Sequence, residues 1–209
     1  MSPLLRLYLG FSRFSDPIWR AIIRRRLRRG KENGARLPEK FGVYEKQRPN
    51  GTIIWINALG IGECLAVIPL IEHVLSALPE ASVVLSSSTR SSAVALEKAQ
   101  LPDRCVHVML PIDTQKVTRR FLDHWVPDLA IFAELDFWPR LMTETHRRKI
   151  PMALVNSRMM KANFQSRKRM SGLMRDIFGY FDFIGVQDVS VVHALVFKGV
   201  GPKGGKMER

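Results

Sequence analysis

In the stretch "NALGIGECLAVIPL" (57–70) a glutamate, Glu63, follows a Gly-x-Gly turn made by Gly60 and Gly62. The glycines let the backbone turn tightly and approach a ligand. An acid in the first turn of a helix is favoured by the helix dipole. An acid facing a crevice can instead act as a general base, taking the proton of an attacking hydroxyl. Spacing leaves both readings open. Leu65 denies the turn the full GxGxxG pattern, and no acid closes the second strand, so a dinucleotide enzyme is not expected. Other groups that could do chemistry lie further along. "SSSTRSS" (86–92) offers hydroxyls, including Ser87, Thr89 and Ser91, for helix capping or for cradling a phosphate or sugar. "ELDFWP" (134–139) offers Glu134 and Asp136 toward polyol hydroxyls, with Trp138 beside them. Asp113, Asn57, Asn156 and Arg158 complete the polar set.

These residues share a position: each follows an apolar run that reads as a strand. Strands are predicted at 52–59, 81–88, 105–111, 128–135, 151–158 and 182–187. Helices are predicted at 62–78, 91–100, 114–125, 137–149 and 164–181. The alternation implies βαβ units, hence an α/β fold with a Rossmann-like parallel sheet and flanking helices. In open sheets of this kind ligands bind outside the carboxyl ends of the strands.

The 209 residues carry a net charge of +14, unevenly laid out. Residues 1–50 hold 13 Lys/Arg against 4 Asp/Glu, residues 51–139 hold 6 against 10, and residues 140–175 hold 10 against 1. Basic flanks attract an anionic partner. Leu4, Leu7, Tyr8, Phe11 and Phe14 recur at helical spacing, and "IWRAIIRRRLRRGK" (18–31) sets an apolar face beside an arginine-rich one. That describes a helix lying in a membrane interface, with Trp19 at headgroup level and Arg24, Arg25 and Arg28 toward anionic lipid. Docking on the chain's own domain is the alternative. Nucleic acid is not expected, because aromatics do not interleave with the basic 140–175 segment. The expected organisation is therefore a basic amphipathic membrane-associating segment at 1–35, a Rossmann-like domain at 36–200 and a disordered tail at 201–209. Cys64 and Cys105 have no CxxC spacing and the five histidines have no ligand spacing, so no metal site is expected.

Taken together, the motifs resemble those of the Kdo (3-deoxy-D-manno-octulosonic acid) transferases. "WINALGIGECLAVIPLI" is similar to their W-I-H-A-x-S-x-G-E-x-x-A-x-x-P-L, "SSSTRSS" to T-T-x-T-x-T-G, "LPID" with "RRFLDHWVPDLAIF" to L-P-x-D and R-F-L-x-x-x-x-P-D-L, "ELDFWPRL" to E-T-E-L-W-P-N-L and "IPMALVNSR" to I-P-x-x-L-V-N-A-R. Asn57 stands where that pattern has His, Gly60 where it has Ser, Ser92 where it has Gly and Asp136 where it has Glu. The resemblance implies the N-terminal, acceptor-binding half of a GT-B glycosyltransferase. Such an enzyme transfers Kdo from CMP-Kdo to a lipid A precursor in lipopolysaccharide biosynthesis, peripherally at the cytoplasmic face of the inner membrane, without metal or other cofactor. It implies Glu63 as catalytic base. It implies acceptor binding by Asn57, Gly60, Gly62, Ser87, Thr89, Ser91, Glu134, Asp136, Trp138, Asn156 and Arg158. Family members are roughly twice as long, so a separate C-terminal donor-binding domain is expected as partner. A non-catalytic module binding phosphoglycolipid at a membrane surface is the alternative.

Overall fold

The computed structural model describes residues 1–134, 138–155 and 171–185. Two helices open the chain, α1 (Pro3–Phe14) and α2 (Asp16–Arg28), and a single turn, α3 (Leu37–Lys40), follows. The rest alternates: β1 (Thr52–Asn57), α4 (Ile61–Ala66), α5 (Ile68–Ala77), β2 (Ala81–Ser87), α6 (Arg90–Lys98), β3 (Cys105–Met109), α7 (Gln115–Trp125), β4 (Leu129–Phe132), α8 (Pro139–Arg147), β5 (Met152–Leu154), α9 (Ser171–Phe178) and β6 (Phe183–Ile184). All pairings are parallel, in the order β3-β2-β1-β4-β5-β6. The order reverses between β1 and β4, which opens a crevice at the carboxyl end of β1.

The strands are apolar on both faces because both are covered. Ile53, Trp55, Val84, Ala130 and Phe132 pack beneath α1, α7, α8 and α9 through Leu5, Phe121, Trp125, Leu141 and Ile177. Ile54, Ile56, Val83, Leu85 and Ile131 pack beneath α4, α5 and α6 through Cys64, Ile71, Val74 and Leu96. The single helix expected at 62–78 is two: α4 ends at Ala66, Val67 caps it, and Pro69 sits in the first turn of α5. Proline has no N–H to donate and its ring crowds the preceding turn, so the break falls there.

The N-terminal helices are built into the body of the molecule. Leu5 and Leu9 of α1 lie in the main core. Tyr8 Oη donates to Asp113 Oδ2 at 2.6 Å. Arg140 donates to Ser12 Oγ at 2.8 Å, to the Leu9 carbonyl and to Glu144 Oε1 at 2.9 Å. In α2, Ile23 packs with Ile112 and Val117, and Trp19 lies against the same group. A buried glutamate, Glu32, pairs with Arg26 at 2.5 Å and with Lys40 at 2.8 Å, closing the connector between α2 and α3.

Candidate functional site

At the carboxyl end of β1 the chain leaves the sheet at Asn57 and enters α4 through Leu59 and Gly60. Glu63 turns back on this loop. Its Oε2 accepts the N–H groups of Leu59 at 2.9 Å and Gly60 at 3.3 Å. These amides would otherwise be orphaned at the helix start. The geometry therefore realises the capping role. It also leaves the other oxygen, Oε1, without a hydrogen bond among the described residues, and the side chain is half-buried. One carboxylate fixes the turn with one oxygen and presents the second. Gly62 is exposed, with open space where a side chain would stand. A Cβ at Gly60 would meet Glu63 Oε1 at 3.5 Å.

Asn57 is 1% exposed. Trp55 Nε1 donates to Ser86 Oγ at 2.9 Å, and Ser86 Oγ donates in turn to Asn57 Oδ1 at 2.8 Å. Asn57 Nδ2 is buried with no partner among the described residues. A buried donor left unpaired costs about 1–3 kcal/mol.

The hydroxyl run divides in two. Ser87 points inward: it is fully buried and its hydroxyl meets His107 Nε2 at 2.9 Å. Arg36 donates to His107 Nδ1 at 2.9 Å, so Nε2 carries the proton toward Ser87. Burial, with Arg36 and Lys46 nearby, pushes the His107 pKa down to about 3. Ser87, an acceptor-contact candidate by sequence, thus serves the interior. Thr89 and Ser91 lie at the surface, at the start of α6. Thr89 caps the helix by accepting Ser92 N–H at 3.0 Å. Ser92 Oγ donates to the Leu59 carbonyl at 2.9 Å, joining α6 to the Glu63 turn.

At the end of β4, Glu134 is half-buried, and Trp138, the residue that caps α8, packs against the core. Asp136, Asn156 and Arg158 lie outside the described residues. Asp113 is not in the crevice. It is 1% exposed and accepts Tyr8 Oη, Arg140 N–H and Leu141 N–H. Burial outweighs these donors and pushes its pKa up to about 6. Of the four residues assigned to a membrane surface, Arg24, Arg25 and Arg28 are exposed, with no acidic partner among the described residues, while Trp19 is half-buried against Ile112 and Val117. Of the apolar residues that helical spacing singled out in α1, Leu7 at 72%, Phe11 at 52% and Phe14 at 77% are exposed, as is Ile18 of α2 at 51%. Among the described residues no group of three His, Cys, Asp or Glu side chains could hold a metal ion. No described helix is long and apolar enough to cross a membrane.

The 3-deoxy-D-manno-octulosonic-acid transferase (kdotransferase) family model matches residues 35–203. The chain belongs to this family. A 3-deoxy-D-manno-octulosonic acid transferase of Rickettsia bellii is 35% identical over 184 residues, covering 88% of this chain and 44% of that protein. A probable mitochondrial 3-deoxy-D-manno-octulosonic acid transferase of Arabidopsis thaliana is 36% identical over 160 residues, covering 77% and 36%. The chain thus spans less than half the length of these relatives. A crystal structure of UDP-N-acetylglucosamine 2-epimerase overlaps 76% of this chain and 45% of that chain, at 12% identity and a TM-score of 0.43.

Proposed function

We propose that the chain is the acceptor-binding part of an enzyme transferring Kdo from CMP-Kdo to a lipid A precursor, with Glu63 as the base. The carrying observation is the divided carboxylate. Glu63 Oε2 is committed to the turn, and Oε1 is unoccupied at the switch point of a Kdo-transferase-family sheet. In the reaction Oε1 takes the proton of an acceptor sugar hydroxyl while that oxygen bonds to the anomeric carbon of Kdo. The bond from that carbon to CMP breaks, and its electron pair leaves with the phosphate. Thr89, Ser91, Gly62 and Glu134 border the same edge and would contact the acceptor. Donor binding falls to a C-terminal domain.

The acceptor is presented at a membrane, and α1 supports a peripheral mode of attachment at the cytoplasmic face of the inner membrane. This helix is apolar on two sides. Leu5 and Leu9 enter the core, while Leu7, Phe11 and Phe14 face outward beside Arg6 and Arg13. A helix apolar all round calls for a second apolar surrounding. The unpaired arginines of α2 suit anionic headgroups. Replacing Leu7 and Phe14 together by glutamate should weaken co-sedimentation with phosphatidylglycerol vesicles about 10-fold or more, given about 1.5–3 kcal/mol per buried side chain.

The function is tested with CMP-Kdo and a tetraacylated lipid A precursor. The chain should bind the acceptor by itself. Transfer should appear when the C-terminal portion of the Rickettsia bellii relative is supplied. A chain that binds no acceptor would sink the reading.

A further inference from the structure

A cleft of about 480 Å³ lies between the end of α2 and the start of α6, with Arg26, Lys31, Thr89, Arg90 and Ser91 in its walls. Three of these side chains are cationic and none is acidic. Glu32, next to Lys31 in sequence, is buried and already held by Arg26 and Lys40. Lys31 is exposed and has no ion-pair partner among the described residues. Arg90 Nη1 donates to the Gly30 carbonyl at 3.1 Å, which steadies the guanidinium across the cleft and leaves its other N–H groups for a ligand. The two walls come from segments 60 residues apart in sequence.

We infer that this cleft binds the phosphate monoester of a sugar phosphate. Lys31 and Arg90 come from opposite walls and, unlike Arg26, have no acidic partner among the described residues, which is the arrangement an anion completes. The start of α6 adds to them. Its first backbone N–H groups have no partner within the helix, and Thr89 satisfies only that of Ser92. A phosphate offers three acceptor oxygens and up to two negative charges, matching guanidinium, ammonium, amide and hydroxyl donors together. The cleft is larger than one phosphate and carries Val94 on its wall, leaving room for the sugar. The inference rests on the acceptor reading above for the identity of the substrate, and it names the group of that substrate held away from the reacting hydroxyl.

The test titrates the chain with glucosamine 1-phosphate, with glucosamine as the phosphate-free control, by isothermal calorimetry. Phosphatidylglycerol vesicles form a separate arm. Saturable one-to-one binding of the phosphate is expected, with none of glucosamine. Lys31→Gln should weaken it about 5-fold or more and Arg90→Gln about 10-fold or more, since hydrogen bonds to charged groups each contribute about 1.5–3 kcal/mol. Ser91→Asp separates folding from binding. An acid in the first turn of α6 favours the helix, so the melting temperature should hold or rise while phosphate binding disappears. Vesicle binding should change less than about 2-fold in all three variants, because it depends on α1 and α2. Absence of saturable binding overturns the inference, as does binding indifferent to all three variants. A parallel loss of vesicle binding also overturns it, because the cleft would then be reading bilayer headgroups. Phosphate binding without Kdo transfer refutes the transfer reading and leaves the cleft standing. Transfer with an unchanged KM in Ser91→Asp refutes the cleft alone.

Discussion

Glu63 and Asp113 both follow strands of one parallel sheet, and both accept backbone N–H groups at the start of a helix. Asp113 spends everything it has. Its Oδ2 takes Tyr8 Oη and Arg140 N–H, its Oδ1 takes Leu141 N–H, and it is 1% exposed. Glu63 spends one oxygen, keeps the other, and sits half-exposed. The difference lies in what covers each residue. Tyr8 of α1 and the first N–H groups of α8 converge on Asp113 and turn it into a fastener. Among the described residues no element closes over the end of β1 in this way, and there the same chemistry stays available. A carboxylate after a strand is thus a candidate base only where the fold leaves one of its oxygens unused.

The largest effect that sharpens this contrast is Glu63→Gln. The amide oxygen can still accept the Leu59 and Gly60 N–H groups, but it cannot take a proton. Transfer should fall about 10²–10⁴-fold, the usual worth of a general base, with acceptor affinity and unfolding midpoint nearly unchanged. Loss of acceptor binding together with transfer would make Glu63 a fastener like Asp113. Asp113→Ala should do the reverse. It strands the buried N–H groups of Arg140 and Leu141 and should cost about 3 kcal/mol in urea denaturation, with activity lost only in proportion to unfolding.

The pH dependence sets two groups against each other. The Asp113 pKa rises from 3.8 unfolded to about 6 folded. Its contribution is therefore fully present below about pH 4 and fades as the pH rises through 6. The His107 pKa falls from 6.5 unfolded to about 3 folded. Its contribution is present above 6.5 and fades as the pH drops toward 3. Each unit of such a shift corresponds to about 1.4 kcal/mol. Between pH 4 and 6 the two slopes oppose and the whole protein should look nearly flat in guanidinium titrations. Asp113→Asn should expose the His107 slope, with stability rising with pH. His107→Gln should expose the opposite slope. The smallest effect on stability belongs to Glu63→Ala, which removes the helix-start contact and should cost about 1 kcal/mol.

Much of this was legible in sequence, for reasons particular residues make plain. Runs such as "TIIWIN" and "ASVVLSS" are apolar at every position because helices cover both sheet faces, and they announce buried parallel strands. Glu63 was legible as cap or base, and the structure shows the cap made by Oε2, with Oε1 left without a hydrogen bond among the described residues. The inward turn of Ser87 was not legible, because its partner His107 belongs to another strand. Nor was the fastening of Asp113 by Tyr8, 105 residues away. The spacing in α1 and α2 revealed apolar stripes without revealing which would be buried. Trp19 went in and Phe14 stayed out because Ile112 and Val117 offered a surface to one and not the other.

The peptide unit between Leu59 and Gly60 is held at both ends: its carbonyl by Ser92 Oγ and its N–H by Glu63 Oε2. The motif this segment resembles has glycine in place of Ser92, and glycine has no hydroxyl with which to make the first of these bonds. In this chain the turn that carries Glu63 is therefore latched to the neighbouring helix. Part of the ordering entropy of that turn is paid when the protein folds rather than at each encounter with substrate. The Gly60 amide should accordingly exchange its proton with solvent more slowly than its place in a surface loop would suggest.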